Sequence, residues 1–253
     1  MKRFYSLALL FVVAMFCSTA YGYTGIEDIT SSKLTNADFS ADTPIAHFVR
    51  TYAKDMTDEG TGAGGAELYG MQAVTGWTAS NPTDNIKHSG ADERDAKAGG
   101  VFEIFTSKGE VEELDESRGL GGEYYCIGEQ GGNALGVTSV WSGNGAAPIY
   151  SQDLTLPAGY YILVFKIYNA AGTSEFKSNE IGFNAGNVKF MSSKTSYPVV
   201  EWVEDTILVS LDAQASGQLT IGFLDSHVGS GSAPQIFVDN VKIFTVSESD
   251  IIA

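Results

Sequence analysis

A strand that is apolar on both faces must either be covered twice or carry a working surface, and residues 149–169 contain one. The run Ile149-Tyr150-Ser151-Gln152-Asp153-Leu154-Thr155-Leu156 is followed by Pro157-Ala158-Gly159 and then by Tyr160 to Asn169. Pro157 pre-sets φ for a tight turn and Gly159 suits its closing position, so the segment reads as strand, turn, strand, a hairpin. In the second strand Tyr161, Leu163, Phe165 and Ile167 share one face at a period of two. Tyr160, Ile162, Val164 and Tyr168 occupy the other. One face belongs in a core between two sheets; the other is either covered or a working surface.

Further strands are expected at short intervals through the second half. They are Ala134 to Val140, Asn187 to Ser192, Tyr197 to Trp202, Thr206 to Asp212, Leu219 to Leu224 and Gln235 to Val246. Short strands separated by turn residues predict an all-β fold, a two-sheet antiparallel sandwich or jelly roll. Lys33 to Phe39 reads as a first strand, and Gly76-Trp77-Thr78 starts another. Between them Ile45, Phe48, Tyr52 and Met56 follow helical spacing, and Gly60 to Gly65 forms a loop. A short helical and loop insertion over about 44–75 therefore interrupts the sandwich near its N-terminus.

The first 22 residues have the three parts of an export leader: Lys2 and Arg3, the apolar run Leu7 to Phe16, and small residues at Ser18-Thr19-Ala20. That run is too short to span a bilayer. Cleavage after Ala20 or Gly22 leaves one domain, residues 23–253, with no transmembrane segment, in the periplasm, at the cell surface or outside the cell. Bulky Phe16 before Cys17 argues against a lipid anchor. Loss of Lys2 and Arg3 takes the net charge from −16 to −18, which repels phosphate backbones and excludes nucleic-acid binding. Cys126, left as the single cysteine, cannot form an intramolecular disulfide and reads as a small buried hydrophobe.

Catalytic patterns are thin. Gly60-Thr61-Gly62-Ala63-Gly64-Gly65 matches a dinucleotide fingerprint but lacks the strand before it and the β/α alternation around it. His47, His88 and His227 share no metal-ligand spacing. Glu112, Glu113, Asp115 and Glu116 read as a solvated charge run, not as a glycosidase pair. Two features carry more chemistry. Asp239 alternates with Phe237, Val241 and Ile243, so its carboxylate needs either a cation or the N–H groups of a neighbouring loop. Trp141, Tyr150 and Trp202 lie beside loops, where flat rings can stack on the C–H faces of sugars, and Asn144 can bond a hydroxyl. Trp77, at a strand start among small residues, reads as core.

Leu34-Thr35-Asn36-Ala37-Asp38-Phe39, Gly76-Trp77-Thr78, Gln152 to Tyr161 and Val238-Asp239-Asn240-Val241 together resemble the galactose-binding-like jelly rolls, which include bacterial carbohydrate-binding modules. The resemblance spans roughly residues 30–245. It implies a jelly roll that binds a polysaccharide or other glycan without catalysis, often with one structural calcium held by the first loop and the acid of the last strand. Asp239 matches that acid. Ser40 stands where the first-strand motif carries glutamate, leaving Asp38 or backbone carbonyls as further ligands. The alternatives are an adhesive surface protein whose sandwich meets other cell-surface proteins and, ranked last, a jelly-roll glycoside hydrolase or lyase.

Overall fold

A computed structural model describes residues 26–45, 71–80, 99–107, 126–138, 149–170, 180–194, 197–223 and 235–247. In chain order the elements are β1 (Glu27–Asp28), α1 (Thr30–Lys33), β2 (Thr78–Ser80), β3 (Gly99–Phe105), β4 (Cys126–Ile127), β5 (Gly132–Thr138) and β6 (Ile149–Leu156). There follow β7 (Gly159–Asn169), β8 (Gly182–Ala185), β9 (Val188–Met191), β10 (Trp202–Leu211), β11 (Ala215–Gly222) and β12 (Gln235–Val246). They build a two-sheet β-sandwich. One sheet runs β10-β7-β12-β5-β3-β4, with β1 pairing on β12; the other runs β2-β6-β11-β8-β9. All neighbours are antiparallel except β3 and β4. From β5 onward almost every connection crosses between the sheets, β8 to β9 excepted, and this alternation makes the sandwich a jelly roll.

The run 149–169 is two strands, but not a hairpin. β6 pairs with β2 and β11, whereas β7 pairs with β10 and β12 in the opposite sheet. The link is therefore an arch. Burial explains it, since Tyr150, Leu154 and Leu156 from β6 and Tyr161, Leu163, Phe165 and Ile167 from β7 enter one core from opposite sides. Paired in one sheet, both sets would need a second partner layer. Gly159 takes φ +150 at the corner, and Tyr161 closes it by donating its hydroxyl to the Pro157 carbonyl at 3.0 Å.

The expected first strand, Lys33 to Phe39, is instead α1 and a tight loop. Asn36 and Phe39 adopt left-handed backbone (φ +54 and +56), which ends any strand. Tyr197 to Trp202 is likewise not a strand. Val199 makes an isolated bridge to Asn169, and β10 begins at Trp202. β3 and β8 are strands that the alternation pattern did not mark; each is short or rich in glycine. Trp77 is core, as expected, and packs on Phe39 with ring centroids 5.5 Å apart. Of the expected insertion over about 44–75, residues 46–70 lie outside those described; at its ends Ile45 donates its N–H to the Val101 carbonyl at 2.8 Å and Met71 bridges to Gly99.

The sheets are also tied by a polar knot. Asp205, on the core side of β10 and 3% exposed, accepts hydrogen bonds from the Tyr197 hydroxyl at 2.6 Å and from the Ser192 hydroxyl. Lys194 lies 3.6 Å from its other oxygen. Ser192 follows β9, so this carboxylate joins the edges of the two sheets. Leaving a buried partner unsatisfied costs about 1–3 kcal/mol. Asp205→Ala should therefore lower stability in urea denaturation by about 3 kcal/mol, and Tyr197→Phe by about half as much.

Candidate functional site

Strands β10, β7 and β12 lie side by side, and their registers build rungs across the outer face of the larger sheet. Trp202, Tyr168 and Phe237 form the first rung; Glu204, Lys166 and Asp239 form the second. Thr206, Val164 and Lys242 come next, then Leu208, Ile162 and Phe244, then Ser210, Tyr160 and Val246. The apolar outer positions of β7 therefore divide between two clusters. Tyr168 packs with Phe102, Ile104, Cys126, Ala134, Ala170 and Phe237 against Ile45 and Trp202. Ile162 and Val164 pack with Val246 against Ile26, Tyr160, Leu208 and Phe244.

Between the clusters runs the charged rung. Lys166 stands opposite both Glu204 and Asp239, carboxylates that flank it from two strands. Burial raises the pKa of Glu204, and Lys166, Lys242 and Lys194 pull it back. Burial also raises that of Asp239, to about 6; the Asn240 N–H, Lys166 and Lys242 oppose the rise and nearby Asp38 adds to it.

Trp202 heads β10 and is half-buried. Its ring lies 5.4 Å from that of Tyr168 at 50°, its Nε1 donates to the Ile127 carbonyl at 2.9 Å, and Lys166 Nζ sits 5.4 Å from its centroid. The ring is thus held on three sides while part of it stays accessible. Trp202 is the one sequence-derived stacking residue that the structure places on this face. Tyr150 is not a stacking residue. It is fully buried between the sheets, with its hydroxyl donating to the Gln72 carbonyl at 2.8 Å. Its position in an inner-facing strand, not its nearness to a loop, decides its role. Trp141 and Asn144 lie outside the described residues. Lys166 and Glu204 were missed from sequence, although their period-two placement with Tyr168 and Trp202 carried the signal.

Asp239 also differs from expectation. It shares the outer face with Phe237, while a bulge between Asp239 and Lys242, with Asn240 at φ +50, turns Val241 and Ile243 into the core. Its carboxylate accepts from the Asn240 backbone N–H at 2.6 Å and the Asn240 amide at 2.7 Å, so it fastens its own bulge. Because the folded pKa lies above the ordinary value, the folded state holds this proton more tightly than the unfolded one. The favourable contribution is complete at low pH and lost as pH rises toward and past 6. Asp239→Asn should gain about 2 kcal/mol relative to the parent between pH 4.5 and pH 7.5 in urea denaturation.

The expected calcium ligands do not make a cation cage. Exposed Asp38 accepts from the Ser40 N–H and hydroxyl, and Asp239 is turned toward Asn240 with Lys166 and Lys242 beside it. Among the described residues no three His, Cys, Asp or Glu converge. Several oxygens of the first loop accept from protein donors. The Asn133 amide donates to the Phe39 and Asp42 carbonyls at 3.1 and 3.0 Å. The Asp42 carboxylate accepts from the Asn36 amide at 2.7 Å and from the Thr75 hydroxyl at 2.8 Å, and the Asn36 carbonyl accepts from Trp77 Nε1 at 3.2 Å. A chelator should leave the melting temperature unmoved. Asn133→Ala should lower it by several degrees, since two carbonyls lose one donor group.

No family model matches this chain, and no curated protein does. Solved structures do match. TmCBM61 in complex with β-1,4-galactotriose aligns at 14% identity and a TM-score of 0.35, over 68% of this chain and 89% of that one. A family 16 carbohydrate-binding module aligns at 16% identity and 0.30, over 45% and 77%. The family 11 module of the cellulosomal cellulase Lic26A-Cel5E of Clostridium thermocellum aligns at 15% and 0.29, over 74% and 98%. At these scores no residue of theirs transfers to this chain, and the site rests on its own geometry. Among the described residues no helix is long and apolar enough to cross a membrane.

Proposed function

We propose that this protein is exported and binds glycan without catalysis, at the partly exposed Trp202 end of the outer face of the β10-β7-β12 sheet, next to the buried rings of Tyr168 and Phe237. The observation that carries this reading is the pairing of two chemistries on neighbouring rungs. A half-accessible indole, Trp202, supports stacking on sugar C–H faces. Glu204, Lys166 and Asp239, all half-buried, supply acceptors and a donor for hydroxyls one rung away. The inner side of β10 is buried, with Asp205 in line with Ile207, Val209 and Leu211, and offers no surface to a ligand.

Non-catalytic binding is favoured over hydrolysis by the position of Lys166. Glu204 and Asp239 lie two strands apart, about 10 Å between their backbones, a span a glycosidase pair can use. Here Lys166 stands between them in register, its ammonium lies 5.4 Å from the Trp202 ring centroid, and the Asp239 carboxylate is turned to Asn240. A carboxylate fastened to its own bulge, with a lysine in register between the two strands, does not make a free acid and nucleophile pair. The leader at residues 1–22 supports export by its sequence pattern.

An aromatic contact of this kind is worth about 0.5–1.5 kcal/mol, and 1.4 kcal/mol is tenfold in affinity. On affinity gels containing galactan, mixed-linkage β-glucan, xylan or hydroxyethylcellulose, Trp202→Ala should lose about tenfold in binding to whichever polymer retards the parent. Trp202→Phe, which keeps a ring but not the Nε1 donor, should lose less. Equal retardation of the parent and Trp202→Ala on every gel would remove the outer face as the site.

A further inference from the structure

Five residues, Tyr197 to Glu201, lead into Trp202, and all but Tyr197 are exposed. Val200 has φ +61, left-handed backbone that a β-branched residue adopts only under strain. The bend is held from several sides. Its N–H donates to the Asn169 carbonyl at 2.8 Å, and the amide of Asn169, fully buried at the end of β7, donates to the Tyr197 carbonyl at 3.0 Å. The Tyr197 hydroxyl is anchored on Asp205. Yet the side chains so displayed are apolar and in solvent: Val199 is 40% exposed and Val200 62%. Strain, exposure and apolar character coincide immediately before the accessible indole. The Val200 and Trp202 Cα atoms can be no more than about 7 Å apart along the chain.

We propose that Val199 and Val200 form a ligand-contacting ledge beside Trp202, pressing on the C–H face of an uncharged pyranose unit. The inference rests on the glycan-binding reading of the outer face and deepens it. Two valines offer no partner to a carboxylate, and exposed Glu201 next to them repels one, so the unit bound at this end is neutral rather than a uronic acid. The strain is kept because relaxing the bend would withdraw the valines from that position.

Three variants test this: Val199→Ala, Val200→Asn and Val200→Gly. Asn and Gly both accept left-handed backbone, so the second and third remove the apolar side chain without disturbing the fold. Their melting temperatures should equal or exceed the parent's. Retardation on the neutral polymer gel that holds the parent should fall severalfold, with no gain on polygalacturonate. The inference is overturned if the valine variants bind like the parent while Trp202→Ala does not, which would leave the glycan reading intact. It is also overturned if light scattering finds a parent dimer that Val200→Asn dissociates with glycan affinity unchanged. A parent that binds no polymer on the gels or on a glycan array overturns both readings.

Discussion

The structure depends on one steric demand: two sheets must each bury an apolar face, and the same core must satisfy both. Tyr150, Leu154 and Leu156 enter it from β6, and Tyr161, Leu163, Phe165 and Ile167 enter it from β7, so the chain must change sheets at Pro157-Ala158. The same demand recurs after β7, β9, β10 and β11. It places β7 between β10 and β12, with both its faces lined by apolar residues. Its inner face closes the core. Its outer face carries the aromatic and aliphatic clusters between which the charged rung lies, and the candidate site is a by-product of that central position.

Polar groups do the positioning that apolar packing cannot. Asp205 joins the sheet edges, Asn133 and Asp42 lock the first loop, and Asn169 fixes the entry to β10. Each is a short side chain that satisfies backbone or hydroxyl groups inside the protein. In the first loop, the two N–H groups of the Asn133 amide bond two backbone carbonyls. Burial likewise pushes the pKa of the Cys126 thiol well up, as expected of a cysteine that packs as a small hydrophobe.

Strong periodicity was legible in the residues. β6, β7 and β12 lie where their alternation placed them, and the inner set of β7 is the core set expected. Pairing was not legible, because a strand's neighbours are set by residues far away in the chain; hence an arch read as a hairpin. Local backbone exceptions were also hidden. Asn36, Phe39, Val200 and Asn240 all adopt left-handed backbone with side chains, and each falls where alternation was extrapolated too far. Asn240 moved Asp239 to the outer face, and Val200 ended a strand before Trp202. Of the site, Trp202 was readable as a ring beside a loop. Tyr150 looked equivalent because sequence does not distinguish a ring at a strand end from one beneath the opposite sheet.

The order of β12 in its sheet bears on how the chain acquires this shape. The last strand is not at the edge. It lies between β7 and β5 and pairs with β1 as well, so residues 27–28 meet residues 244–245. Until β12 is synthesised, β7 and β5 have no common neighbour, and the outer clusters lack Phe237, Phe244 and Val246. Contacts this distant in sequence make folding slow and late. A larger sheet whose central strand comes so late in the sequence is completed only when the smaller sheet and the β10-β7 pair already have all their residues.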